Sequence, residues 1–137
     1  MFPLTFLAHI AEEYWFGFYH WARVLGMRMD GPRFLQINAV AWAVMALLSL
    51  LAATTARARW LMISFAAAVL FNGSAHTVAS MATASYSPGL VSGLLLWAPL
   101  GAYTLRRAYV EMRRRVFWGA VVWGLALHAL VTFAALL

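Results

Sequence analysis

The chain has no cysteine and no lysine, and only four acidic residues. Without cysteine there are no disulfides and no thiolate ligands, so any metal here must be held by imidazole or oxygen. Charged residues make up 10% of the chain, against about a quarter in soluble domains, which excludes an ordinary water-facing globule. Disorder is excluded too. Disordered chains are polar and poor in aromatics, whereas 15% of this chain is Phe, Trp or Tyr.

What remains is strongly apolar. The 137 residues are 65% hydrophobic, with a mean hydropathy of +0.80. That balance predicts one all-α domain, an integral membrane helical bundle of four to five transmembrane helices. Four apolar runs are long enough to span: residues 34–53, 60–83, 90–105 and 116–136. Polar turns divide them. Thr54 to Arg59 closes the first, Ser85 to Gly89 separates the second and third, and Arg106 to Arg115 reads as a basic loop.

Residues 2–21 are a special case. They begin apolar, turn aromatic, and carry His9, Glu12 and Glu13. Each ionised carboxylate at the centre of a bilayer costs about 3 kcal/mol. The segment therefore inserts only if those groups are neutralised, paired or metal-bound; a re-entrant or interfacial helix is the alternative. Residues 1–11 have no Arg ahead of the apolar stretch and two glutamates follow, so no cleaved signal peptide is expected.

All ten basic residues are Arg, and the net charge is +6. Their placement between apolar runs is the positive-inside bias of a multipass protein, so no nucleic-acid partner is expected. The bias places the Arg57/Arg59 turn and the Arg106–Arg115 loop on the cytoplasmic side. Arg-only usage suggests a GC-rich bacterial genome, hence a bacterial plasma membrane. Trp15, Trp21, Trp60 and Trp118 sit near run ends and read as interfacial anchors, while Trp42, Trp97 and Trp123 lie deeper. Helix 60–83 has a small-residue stripe (Ser64, Ala68, Asn72, Ala75, Ala79, Ala82), and Gly89-x-x-x-Gly93 offers a second close-packing point.

Inside the apolar runs, the strongly polar side chains are His9, Glu12, Glu13, Asn38, Asn72, His76 and His128. His9, Glu12 and Glu13 stand at i, i+3 and i+4, on one helix face. Asn72 and His76 stand at i and i+4. Counting about 1.5 Å per residue brings these groups and His128 to similar depth. Buried ionisable groups in lipid mark functional sites by default. His9-x-x-Glu12-Glu13 near the N-terminus, followed by Asn72-x-x-x-His76 and the Pro88-Gly89 turn, resembles the HXXEE family of small bacterial multipass membrane proteins. The resemblance implies a membrane protein with a polar centre and supplies no substrate.

The inventory suits a divalent metal, zinc rather than iron, with His9, Glu12, Glu13, His76 and His128 as candidate ligands. Glu12, Glu13 and Asn72 are the candidate catalytic residues, the glutamates as ligand and general base, Asn72 as orienter of substrate or water. Two intramembrane glutamates are too few for a ferritin-like di-iron site. No His-Glu-x-x-His motif is present, and no Asp lies in an apolar run to orient a serine triad. The Glu pair with dispersed His is also similar to the CAAX-processing protease group, but that group's arginine four residues after the pair is absent; Gly17 stands there.

The expectation is a membrane-embedded metal-dependent enzyme acting on a lipid-like or hydrophobic small molecule, among membrane lipids and with self-association possible. Two alternatives stay open. One is a metal-free isomerase or cyclase using a protonated Glu, and the other a non-enzymatic proton- or metal-translocating protein. The bland reading is that His9, Glu12 and Glu13 pair with one another or with Arg23, and that Asn72, His76 and His128 are interhelical hydrogen-bond glue.

Overall fold

The computed structural model describes residues 1–136, and no strand occurs among them. Helix α1 (Phe2–Trp15) begins with Pro3 in its first turn, a position where the missing N–H costs nothing. It is followed by the short α2 (Phe18–Trp21), a 3-10 turn (Ala22–Leu25), α3 (Gly31–Thr54) and a 3-10 turn (Ala56–Ala58). Next come α4 (Trp60–Thr83), α5 (Leu90–Ser92) and a π-turn (Gly93–Trp97) leading into α6 (Ala98–Glu111), and last α7 (Arg114–Leu136).

Three helices are long and apolar enough to cross a membrane: Gly31–Thr54, Ala56–Thr83 and Arg114–Ala135. They match the apolar runs read at 34–53, 60–83 and 116–136. The start of α3 is set by Asp30, whose carboxylate accepts from the Arg33 N–H at 2.8 Å, with Pro32 in the first turn. Exposed Leu47, Leu50, Val122 and Leu130 stud α3 and α7, an outer surface suited to hydrocarbon rather than water.

Residues 2–21 do not form one helix. Gly17 adopts left-handed φ +71° and ends α1, so α1 is roughly 20 Å long against a hydrocarbon core of about 30 Å. It starts well inside the bundle, with the Trp42 indole N–H donating to the Pro3 carbonyl at 3.0 Å and Phe2 packed on Phe65. The run read as 90–105 extends to Glu111. Arg106 and Arg107 are therefore helical rather than part of a loop, and Arg107 pairs one turn on with Glu111 at 2.7 Å.

Helix α4 is the central element. Ile63, Ser64, Phe65, Ala66, Val69, Gly73 and His76 on it are buried, and it packs against α3, α6 and α7. Of the expected stripe, Ser64 is buried at a close approach to Gly124 on α7, whereas Ala75 and Ala82 are exposed and the other close approaches run along Ala66 and Gly73. A Cβ on Gly73 would stand 2.8 Å from the Gly93 carbonyl oxygen, and one on Gly101 2.8 Å from that of Ala66. Backbones this close leave room for no side chain. Glycine fixes the contacts. On α7, the Arg33 guanidinium donates to the Ala134 carbonyl at 3.0 Å, so α3 begins where α7 ends.

Candidate metal centre

The half-length α1 brings its C-terminal turn against the Ser85–Ser92 segment that links α4 to α5. His9 and Glu13, one helical turn apart, point to the same side and meet His76 near the end of α4. All three are buried, with 1%, 6% and 5% of their surface exposed. The His9 Nε2 lies 3.5 Å and the His76 Nε2 3.3 Å from Glu13 Oε1. One ligand atom from each residue falls within 4.8 Å of the other two.

Each imidazole is held from behind by a serine. His9 Nδ1 is 2.7 Å from Ser92 Oγ, and His76 Nδ1 is 2.9 Å from Ser87 Oγ. Ser92 Oγ also donates to the Gly89 carbonyl at 3.4 Å. In the tautomer in which Ser92 gives its proton to that carbonyl and accepts from the His9 Nδ1–H, the lone pair lies on Nε2. That Nε2 has no hydrogen-bond partner. A bare nitrogen lone pair thus faces a carboxylate oxygen in a buried site, where two acceptors need a proton or a cation between them. Trp97 stacks on the His9 ring with centroids 3.7 Å apart, and the two imidazoles meet edge to face at 5.1 Å.

Gly89 is the residue that lets the site close. Its φ is +100°, and a Cβ there would lie 2.8 Å from Cε1 of both His76 and His9. Only glycine tolerates both demands.

Glu12, expected as a ligand or base, lies outside this group. Its Oε1 accepts from the backbone N–H groups of Gly89 and Val91 at 3.1 and 3.0 Å and from the Tyr86 hydroxyl, while Oε2 accepts from the Ser92 N–H at 2.7 Å. Four donors leave that carboxylate structurally committed, tying α1 to the segment that carries both serines. Partial burial, and then the Glu12 carboxylate, push the Tyr86 phenol above its usual pKa, so it remains a donor at neutral pH.

His128, also expected as a ligand, stands on α7 across a cavity, its ring edge-on to Phe71 at 5.1 Å. Asn72 lines that same cavity, as do His9 and Glu13. The cavity measures about 200 Å³ and is lined mostly by apolar side chains such as Phe34, Met45 and Val69. Arg23 is exposed and makes no ion pair with these glutamates among the described residues.

Sequence reasoning missed Ser87 and Ser92, took Gly89 as a turn and close-packing glycine without linking it to the imidazoles, and left Trp97 as a core residue or a cavity wall. The available signal was positional: two serines flank the Pro88-Gly89 turn that follows His76 by about a dozen residues.

The donor set fits a divalent ion. Tetrahedral ligands on bonds of about 2.1 Å stand roughly 3.4 Å apart, close to both His–Glu separations. Two imidazoles and one carboxylate, each imidazole braced through its far nitrogen, is an arrangement used by metal sites that keep an open position.

No curated protein and no solved structure matches the chain. A family model described as a protein of unknown function with HXXEE motif matches residues 1–104, a span that holds His9, Glu13, His76, Asn72 and Trp97 and stops short of His128. The chain belongs to this HXXEE family.

Proposed function

We propose that this chain is a membrane-embedded, metal-dependent enzyme. His9, Glu13 and His76 hold one divalent ion, zinc rather than iron, and the adjoining cavity takes a hydrophobic, lipid-like molecule. The observation that carries the reading is the unpartnered His9 Nε2 facing Glu13 Oε1 at 3.5 Å, with the His76 Nε2 on the same oxygen at 3.3 Å. A divalent ion bound there supplies Lewis acidity and lowers the pKa of water.

The chain's own residues do the rest. Ser92 and Ser87 fix the two imidazoles, and Glu12 fixes the serines by clamping their segment. Asn72 orients the substrate from the cavity wall. With Oε1 turned to the imidazoles, Glu13 keeps Oε2 to take a proton from a bound group, whereas Glu12 is engaged by four donors. The mostly apolar wall lowers the local dielectric, which strengthens the polar interactions within.

In this reading the Arg57/Arg59 turn and the Arg-rich end of α6 face the cytoplasm of a bacterial cell, and the metal centre lies in the outer half of the bilayer. A translocation role finds less support. Between the centre and the Arg-rich end, the buried residues of α4 are apolar except Ser64, whose hydroxyl donates to the Ala120 carbonyl at 2.8 Å.

Elemental analysis of detergent-purified protein tests the proposal. Wild type is expected to carry about one zinc per chain, lost in both Glu13→Ala and His76→Ala. Folded wild type that stays metal-free after zinc loading would overturn it in favour of metal-free acid–base chemistry by Glu13. Full metal retention in both variants would overturn it as well.

A further inference from the structure

Two buried polar atoms on the cavity wall have no partner, Asn72 Oδ1 and Trp97 Nε1. Such atoms cost stability in a dry site unless something completes them. Of the other polar side chains of the wall outside the metal set, His128 stands edge-on to Phe71 and two are bonded to backbone carbonyls. Asn38 Nδ2 donates to the Phe34 carbonyl at 3.0 Å, and the Thr132 hydroxyl donates to the His128 carbonyl at 3.1 Å. The two unmet atoms are complementary. An indole N–H needs an acceptor, and an amide oxygen needs a donor.

We infer that the cavity binds a hydrocarbon chain ending in a hydroxyl, whose oxygen accepts from Trp97 and whose proton goes to Asn72. The inference rests on the reading above that this cavity is the substrate site, and it names the substrate class. A hydroxyl both donates and accepts, so its chemistry matches both atoms. A carboxylate accepts only and leaves Asn72 Oδ1 unmet. An alkane satisfies neither atom.

Size and access agree with a chain. At about 200 Å³ the cavity exceeds the roughly 150 Å³ hole that takes benzene, which gives room for the head and several carbons. Val44 on α3 and Val131 on α7 line it and are also exposed on the bundle, at 47% and 37%. In this inference the remaining carbons leave between those two helices into the surrounding hydrocarbon.

Photolabelling tests this with the full chain in lipid nanodiscs, using a diazirine-tagged long-chain alcohol as probe and decanol, decane and decanoate as competitors. Labels are expected on α3 and α7 near Val44 and Val131, with decanol displacing the probe at about tenfold lower concentration than decane or decanoate. Asn72→Leu, and Trp97→Phe, which keeps an aromatic ring against His9, should each erase most of that advantage. Glu13→Ala should keep the competitor ranking, which separates this inference from the metal-dependent reading. Equal competition by decane, a preference for decanoate, or an alcohol preference that survives both Asn72→Leu and Trp97→Phe would each overturn it.

Discussion

The two ends of the bundle handle charge in opposite ways. At the Arg-rich end, Arg57, Arg59, Arg106, Arg107 and Arg113 to Arg115 are exposed, and the Arg107–Glu111 pair is open on both sides, with 61% and 58% of each side chain exposed. Charge there is held by solvent, so the protein specifies little about it. At the other end, Glu13 and two imidazoles are sealed in, and every brace behind them is supplied by the chain. The Glu13 charge persists only because the fold completes it, which is the arrangement expected of a site rather than a scaffold. The neighbouring glutamates repeat the contrast on a smaller scale. Glu12 is met by four protein donors, whereas Glu13 meets only nitrogens that can bind a cation or share a proton.

Four substitutions sharpen or break this contrast. The largest effect is expected from Gly89→Ala, where a left-handed φ and contacts at 2.8 Å with both imidazoles combine. A loss of about 3 kcal/mol, read as a lowered midpoint of unfolding in detergent, is expected along with loss of metal. Glu12→Gln comes next. An amide NH₂ would face backbone donors, so a loss of about 2 kcal/mol is expected while the metal stoichiometry of folded protein is kept. If Glu12→Gln instead abolishes metal binding in folded protein, Glu12 is a ligand and the contrast between the two glutamates fails.

Ser92→Ala should leave folding nearly intact and weaken zinc about tenfold in a chelator competition, because the His9 ring loses its brace. Arg107→Ala is the control at the other end. No resolvable change in unfolding midpoint or metal content is expected, at low or high salt, since the ion pair it removes is open to water.

Much of the bundle was readable from the amino acids alone. The runs at 34–53, 60–83 and 116–136 became helices because apolar length decides such segments, and caps moved the ends by only a few residues. Residues 2–21 looked continuous because nothing in an aromatic-rich stretch marks Gly17 as left-handed until packing demands it. The helix end at Glu111 was hidden by its arginines, which read as a loop although an i,i+4 ion pair supports a helix there. At the site, the spacing of His9, Glu12 and Glu13 placed three groups on one side, yet adjacent residues differ by about 100° around a helix. That rotation sends Glu12 to the Ser85–Ser92 segment and Glu13 to the imidazoles. His128 matched in depth along its helix, but depth says nothing of lateral position, and α7 sets it across the cavity.

X-ray absorption at the zinc edge of the loaded wild-type protein addresses the metal centre most directly. The account predicts a low-coordinate ion with two imidazole nitrogens at about 2.0–2.1 Å and carboxylate oxygen in the remaining shell. A shell with one imidazole or none, or with only water oxygens, would contradict it.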